Sequence, residues 1–277
     1  MLKLLRYKKI WLLSIGLLLI LSCEVLEEPD LVNPLDPENP EYIPPKTTIL
    51  SGPGEGEVLA LPDVSITWRG NIAGSEYSFR LDSSVWSDWG VDSTVLLRLL
   101  DEADHQFEVR TRYPSGDIED PPTSLSFTVD AVKGPAFIFY PRLTNKITGE
   151  SFMLELMAEE VDSFAIGEVV VEFDTAFVSF VSAALLSDAS SFLGSSGGSV
   201  LEFIDLDSAN NSVVINFGVV GGDPPFVQGS GVVARLIFTG TSSGETSVSI
   251  SSLSLMRKSD NTTIRVNEFI EGVILLD

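Results

Sequence analysis

The sequence predicts an all-β protein: two tandem antiparallel β-sandwiches behind a signal peptide and a disordered tether. Three observations predict it. From Val64 onward, short segments alternate apolar and polar residues with period two. Clusters of Gly, Pro, Asn and Asp separate them, as turns require. The chain is also 44% hydrophobic with 16 Phe, enough to fill real cores despite its charge.

The charge itself excludes several functions. The 277 residues hold 17 Lys and Arg against 40 Asp and Glu. Four of those bases (Lys3, Arg6, Lys8, Lys9) fall in the first 22 residues, which have no acid. Without that segment 13 bases face 40 acids, a net of −27 over 255 residues. Such a surface repels phosphate backbones, so no nucleic-acid partner is expected. It also does not suit anionic lipid through a basic patch. With one His and one Cys, the chain cannot build a Cys/His zinc site, a disulfide framework or a Cys–His dyad.

The amino terminus reads as an address. Basic residues 1–9 precede an apolar run from Ile10 to Leu21, broken only by Ser14 and Gly16. This is the layout of a secretory signal, and 12 residues are too few to span a bilayer. The run ends in Ile20-Leu21-Ser22-Cys23, which resembles the bacterial lipobox. The resemblance implies a lipoprotein: signal peptide 1–22 is cleaved and Cys23 is acylated, anchoring an exported chain to the cell envelope, facing the surface or the periplasm. The chain's one Cys stands where that chemistry requires a thiol.

Residues 23–46 form the tether. Residues 24–46 carry six Pro, seven acids and a single base, Lys46. Pro stops helix and sheet from propagating, and like charges extend the chain. The phrase Asn33-Pro34-Leu35-Asp36-Pro37-Glu38-Asn39-Pro40 has a near-repeat character that suits a spacer or a partner site.

Residues 47–131 read as the smaller sandwich. Val64–Trp68, Tyr77–Leu81, Phe107–Tyr113 and Leu125–Val129 alternate cleanly between turn signals. With Trp68, Tyr77 and the Leu99–Arg110 phrase, the stretch resembles a fibronectin type III-like or Ig-like domain. It departs at Phe107, where that family has Tyr, so the tyrosine-corner hydroxyl is missing. Trp86-Ser87-Asp88-Trp89 admits two readings: Trp86 and Trp89 stack on sugar rings, or they cap the sandwich edge against Arg stems. The Trp-Ser-x-Trp-Ser box of cytokine receptors is not matched, because Gly90 replaces its last Ser. His105, beside Asp101, Glu102 and Asp104, is expected on a solvated turn.

Residues 132–277 read as the larger sandwich. Strands are expected at 136–140, 152–156, 169–173, 200–204, 213–217, 232–238, 247–250 and 272–276. Val, Ile and Phe dominate them, as pleated, half-buried surfaces favour, and their number suits a two-sheet jelly roll. Gly149-Glu150-x-Phe152, then Gly167-x-x-Val170 to Phe173-Asp174, then Gly229-Ser230-Gly231 to Phe238, then Gly244-Glu245-Thr246 resemble, in order, the motifs of a cohesin domain or a related carbohydrate-binding sandwich. Thr175 stands where Pro is usual after Asp174. The resemblance implies a non-catalytic module that binds dockerin-bearing proteins or polysaccharide and carries no cofactor. Phe226, in the loop Gly222-Asp223-Pro224-Pro225-Phe226, is either an exposed anchor or folded back on the sandwich.

Enzyme signatures are weak. Glu159 and Glu160 are adjacent, so on a strand they point to opposite faces and make no acid/base pair. Asp205 and Asp207, with Asn210 and Asn211, suit either a structural calcium loop or an Asx-rich turn. The expected function is thus a non-catalytic envelope lipoprotein displaying a cohesin-like binding module. A structural spacer or adhesin subunit and an accessory protein of polysaccharide degradation are the alternatives. The exposed surface of the larger sandwich discriminates them: a flat apolar face implies a protein partner, an aromatic-lined cleft a sugar.

Overall fold

A computed structural model describes Asn33 and residues 35–277. The expected signal peptide, residues 1–22, and the expected acylation site Cys23 lie outside the described residues. Contacts divide the chain into two compact units, Met1–Pro44 and Pro45–Asp277.

The described part of the first unit has local order where a disordered tether is expected. Asn33, Asp36 and Asn39 each use Oδ1 to accept the backbone N–H two residues on, at 3.0 Å. Each backbone carbonyl also accepts the N–H three residues on, at 2.9–3.1 Å. The near-repeat is therefore a three-residue Asx-Pro-x unit, and each copy forms one turn. Asx side chains stabilise such turns by bonding their own backbone.

In the second unit the chain first forms β1 (Thr47–Ser51), β2 (Glu57–Leu59), β3 (Val64–Gly70), β4 (Glu76–Leu81), β5 (Thr94–Leu97), β6 (Asp104–Arg112) and β7 (Thr123–Val129). They make a three-stranded sheet, β1-β3-β5, facing a four-stranded sheet, β2-β7-β6-β4. An aromatic cluster fills the space between. Trp68 on β3 lies 5.7 Å from both Phe79 on β4 and Phe107 on β6. Phe107 is fully buried, so this position serves packing.

His105 is not solvated, contrary to its expected place on a turn. β6 begins at Asp104, earlier than the alternation suggests, and period two turns His105 inward with Phe107 and Val109. The ring is 6% exposed. Its Nδ1 lies 2.7 Å from an Asp82 carboxylate oxygen and its Nε2 lies 3.0 Å from the Asp101 carbonyl.

The rest of the chain forms β8 (Ala136–Tyr140), β9 (Leu143–Lys146), β10 (Ser151–Phe164), β11 (Ile166–Phe173), β12 (Val178–Leu185), β13 (Ser199–Asp207), β14 (Ser212–Val220), β15 (Val227–Gly240), β16 (Gly244–Ile250), β17 (Leu255–Arg257), β18 (Thr263–Ile264), β19 (Glu268–Ile270) and β20 (Gly272–Leu276). A five-stranded sheet, β12-β15-β10-β8-β19, faces an eight-stranded one, β13-β14-β11-β16-β20-β9, with β17 and β18 attached beside β11. Phe139, Leu154 and Leu156 from the first sheet and Val169, Val171 and Ile215 from the second belong to one buried core.

The fold is all-β, and its pairing is antiparallel except for β2/β7, β8/β19 and β9/β20. The last two have one cause. Residues 136–146 turn a corner from one sheet into the other, and residues 268–276 turn the same corner alongside them. Gly167 on β11 sits opposite Phe217 on β14, and a Cβ there would fall on the Phe217 ring. Glycine is what lets that ring lie flat on the strand.

Candidate docking face

The outer face of the eight-stranded sheet follows from register. On β14, Val213, Ile215, Phe217 and Val219 are buried, so Val214, Asn216, Gly218 and Val220 point outward. Residues directly opposite one another in an antiparallel pair share a face. β13 therefore contributes Leu201 beside Gly218, Phe203 beside Asn216, Asp205 beside Val214 and Asp207 beside Ser212. On the other side of β14, β11 contributes Ile166, Glu168, Val170 and Glu172 at the same levels. β17 then adds Arg257 beside Ile166 and Leu255 beside Glu168.

The face is divided along the strands. Its apolar end holds Leu201, Phe203, Ile166, Leu255 and Val220. Its acidic end holds Asp205, Asp207 and Glu172. Leu201, Phe203 and Val220 are 62%, 64% and 53% exposed. They border a groove of about 790 Å³ that also takes in Asn216, Leu255 and Arg257. Burying exposed apolar side chains is the main source of association energy, which makes this end the candidate docking surface.

The structure places the sequence-derived candidates separately. Asp205 and Asp207 share the outer face. The Asp207 carboxylate accepts the Ala209 and Asn210 backbone N–H groups and the Asn210 side-chain amide. The Asn210 side chain first and its backbone N–H next hold this carboxyl below the usual aspartate range. Among the described residues no group of three or more His, Cys, Asp or Glu side chains is placed to hold a metal ion. Phe226 is half-buried, and its neighbour Pro225 lines the groove.

Trp86 and Trp89 lie elsewhere, on the smaller sandwich. Residues 86–90 run beside β4, tied by Ser87 N to Phe79 O at 2.8 Å and by Tyr77–Gly90 bonds at 2.7 and 3.0 Å. The Arg80 and Arg110 guanidinium groups stand over the Trp86 ring at 4.5 and 4.1 Å. Arg110 and Arg112 stand over Trp89 at 4.9 and 4.4 Å. The five side chains form a ladder with Arg110 at its centre. Burial, then the charges of Arg80 and Arg112, lower the Arg110 pKa, and its Nε has no hydrogen-bond partner. The indole π-faces are the counterweight to that charge. The ladder forms although Gly90 replaces the final Ser of the receptor box.

Glu159 and Glu160 sit where β10 bulges, with Glu160 at φ +48°. Glu159 accepts the Ser230 hydroxyl at 2.5 Å, and Glu160 accepts the Gly134 N–H at 2.9 Å. Glu160 thus holds backbone directly, and Glu159 holds the Ser230 hydroxyl, whose oxygen accepts the Glu160 N–H at 3.1 Å.

Sequence reasoning missed Leu201 and Val220 as surface residues. The β13 segment Val200-Leu201-Glu202-Phe203-Ile204 is apolar on both sides of the pleat, so alternation does not say which side is solvated. The available signal was that two-sided apolarity itself.

No family model matches the sequence, and no curated protein matches it. Solved structures similar to it include cohesin domains, matched over about half of the chain at low identity. A type II cohesin from the cellulosome of Acetivibrio cellulolyticus shares 15% identity over 50% of this chain and 94% of its own, with a TM-score of 0.43. The sixth cohesin of scaffoldin B from the same organism, solved in complex with a Cel5 dockerin mutant, shares 18% over 51% and 99%, with a TM-score of 0.41. A non-cellulosomal cohesin from the archaeon Archaeoglobus fulgidus shares 11% over 51% and 90%, with a TM-score of 0.41.

Proposed function

We propose that this chain is a non-catalytic binding protein of the bacterial cell envelope. It is anchored through acylated Cys23, and it docks a protein partner on the outer face of its eight-stranded sheet. The single observation that carries the reading is the exposed trio Leu201, Phe203 and Val220 beside the 790 Å³ groove. A flat apolar face rimmed by charge suits a protein partner. The two indoles of the smaller sandwich lie beneath guanidinium groups and are not free to stack on a sugar ring, and on the larger face Phe203 stands among aliphatic side chains. A bare spacer would have polar faces. Residues 47–131 act as the module that lifts the larger sandwich off the membrane, and dockerin-bearing proteins are the partner class that the resemblance in residues 132–277 implies.

The test titrates the full chain, held in detergent micelles, against a panel of dockerin modules and a glycan array. The reading predicts binding to a protein that is lost in the Leu201→Glu/Phe203→Glu double variant while the sandwich stays folded. Binding to glycans alone, or protein binding that survives the double variant, contradicts it.

A further inference from the structure

The eight-stranded sheet ends in β13, whose side chains Leu201 and Phe203 belong to the docking face but whose outer backbone groups that face does not use. β13 pairs with β14 at nine successive positions, Ser199↔Val220 to Asp207↔Ser212, without a bulge. Among the described residues it has no other strand partner. Alternate residues of such a strand direct their N–H and C=O groups away from their one neighbour, leaving a template for another chain.

The other outer strands are protected. β12 and β1 are bulged, β12 between Phe180 and Ser182 and β1 between Ile49 and Ser51. β5 and β9 have four residues each, and β2 and β19 have three. β4 is covered by residues 86–90. β13 alone is long, regular and open, and it exposes Leu201, Phe203 and Leu206 along its length.

Its charges select the occupant. β13 carries Glu202, Asp205 and Asp207 and no base. A second copy of this acidic chain would set three more acids against them. A basic strand meets them with complementary charge, and its Lys stems cover Leu201 and Phe203 while the ammonium groups reach the acids. We propose that the free edge of β13 binds an extended, Lys- or Arg-rich segment of a partner by β-strand addition, antiparallel or parallel to β13. Main-chain hydrogen bonds supply the grip and the acids supply the choice of sequence. This contact goes beyond face docking: it shares Leu201 and Phe203 with the face, adds the outer backbone groups of β13, and leaves out Leu255 on β17.

The experiment uses the full chain in micelles and a labelled nine-residue peptide of alternating Val and Lys, read by fluorescence anisotropy. Binding is expected, with at least a tenfold loss when the peptide amides of one parity are N-methylated and little loss for the other parity. An alternating Val and Glu peptide should not bind. The Leu255→Glu variant, changed on the face three strands from the edge, should keep full peptide affinity. Equal binding of both N-methylated forms would show charge attraction without strand pairing and overturn the proposal. Loss of peptide affinity in Leu255→Glu would place the peptide on the face, overturning the edge proposal while leaving face docking standing. A concentration-dependent dimer by light scattering that Phe203→Lys abolishes would show that a second copy fills the edge, and would also overturn it.

Discussion

At the scale of single residues, the most consequential group is one that neither composition nor periodicity marks. The Glu119 side chain is 2% exposed. It accepts hydrogen bonds from the Thr47 N–H (2.9 Å) and hydroxyl (2.5 Å), the Thr123 hydroxyl (2.8 Å) and the Thr111 N–H (3.2 Å), with Lys46 Nζ at 3.1 Å. It ties the start of β1 to the four-stranded sheet. Burial pushes its pKa up, but bonds from Thr47, Thr123 and Lys46 outweigh burial and leave it below the usual glutamate range. A depressed pKa means that the group stabilises the fold above its unfolded value and loses that contribution as pH falls through the folded value. Glu119→Gln is expected to cost about 2 kcal/mol at pH 7, as charged hydrogen bonds do. Thermal melts from pH 7 to pH 3 check it: the difference between variant and parent should shrink toward the acid end. The Trp86 ladder gives a second expectation at this scale. Trp86→Ala removes two cation–π contacts and should cost about 2 kcal/mol of stability. Sugar titration of the parent protein should leave Trp fluorescence unchanged.

At the scale of elements, alternation locates strands well where one face is buried and poorly where neither or both are. β3, β7 and β20 lie close to where the sequence puts them, because each alternates against a core. β2, β5, β17, β18 and β19 escape sequence reading because strands of two to four residues hold too few alternations to show a period. β12 escapes because its burial pattern is irregular across the bulge at Phe180 and Ser182. The site has the same limit. The pairs that build the face, Leu201 with Gly218 and Ile166 with Arg257, are set by long-range register that no local pattern encodes. The Asx-Pro-x turns were visible as a near-repeat, since their chemistry is local. Gly167→Ala tests how tightly β11 and β14 are matched. The added methyl must displace the Phe217 ring, and overpacking of this kind costs about 1–3 kcal/mol. Chemical denaturation should show that loss with an unchanged m-value.

At the scale of the molecule, residues 45–277 are one compact unit, and a carboxylate joint connects its two sandwiches. Glu102 accepts the Ala131 and Val132 N–H groups at 3.0–3.2 Å, and Asp101 accepts the Arg142 N–H at 2.7 Å. Burial is the largest influence on both carboxyls and raises their pKa above the usual range, against the opposing pull of those bonds. A raised folded value means a contribution that is full below the unfolded pKa and is lost as pH rises through the folded one. Mild acid should therefore tighten this joint while it weakens the Glu119 anchor. Amide exchange at Ala131 and Val132, corrected for intrinsic rate, should show higher protection at pH 5 than at pH 8. The Glu102→Gln variant should show no such change.

The most direct test of the account places a photo-crosslinking amino acid in the full chain at Phe203 and Val220 on the docking face. A control carries it at Met153, which points outward from the five-stranded sheet. With the dockerin panel present, the account predicts one protein adduct formed from both 203 and 220 and none from 153. Equal adducts from all three positions, or none from the docking face, would contradict it.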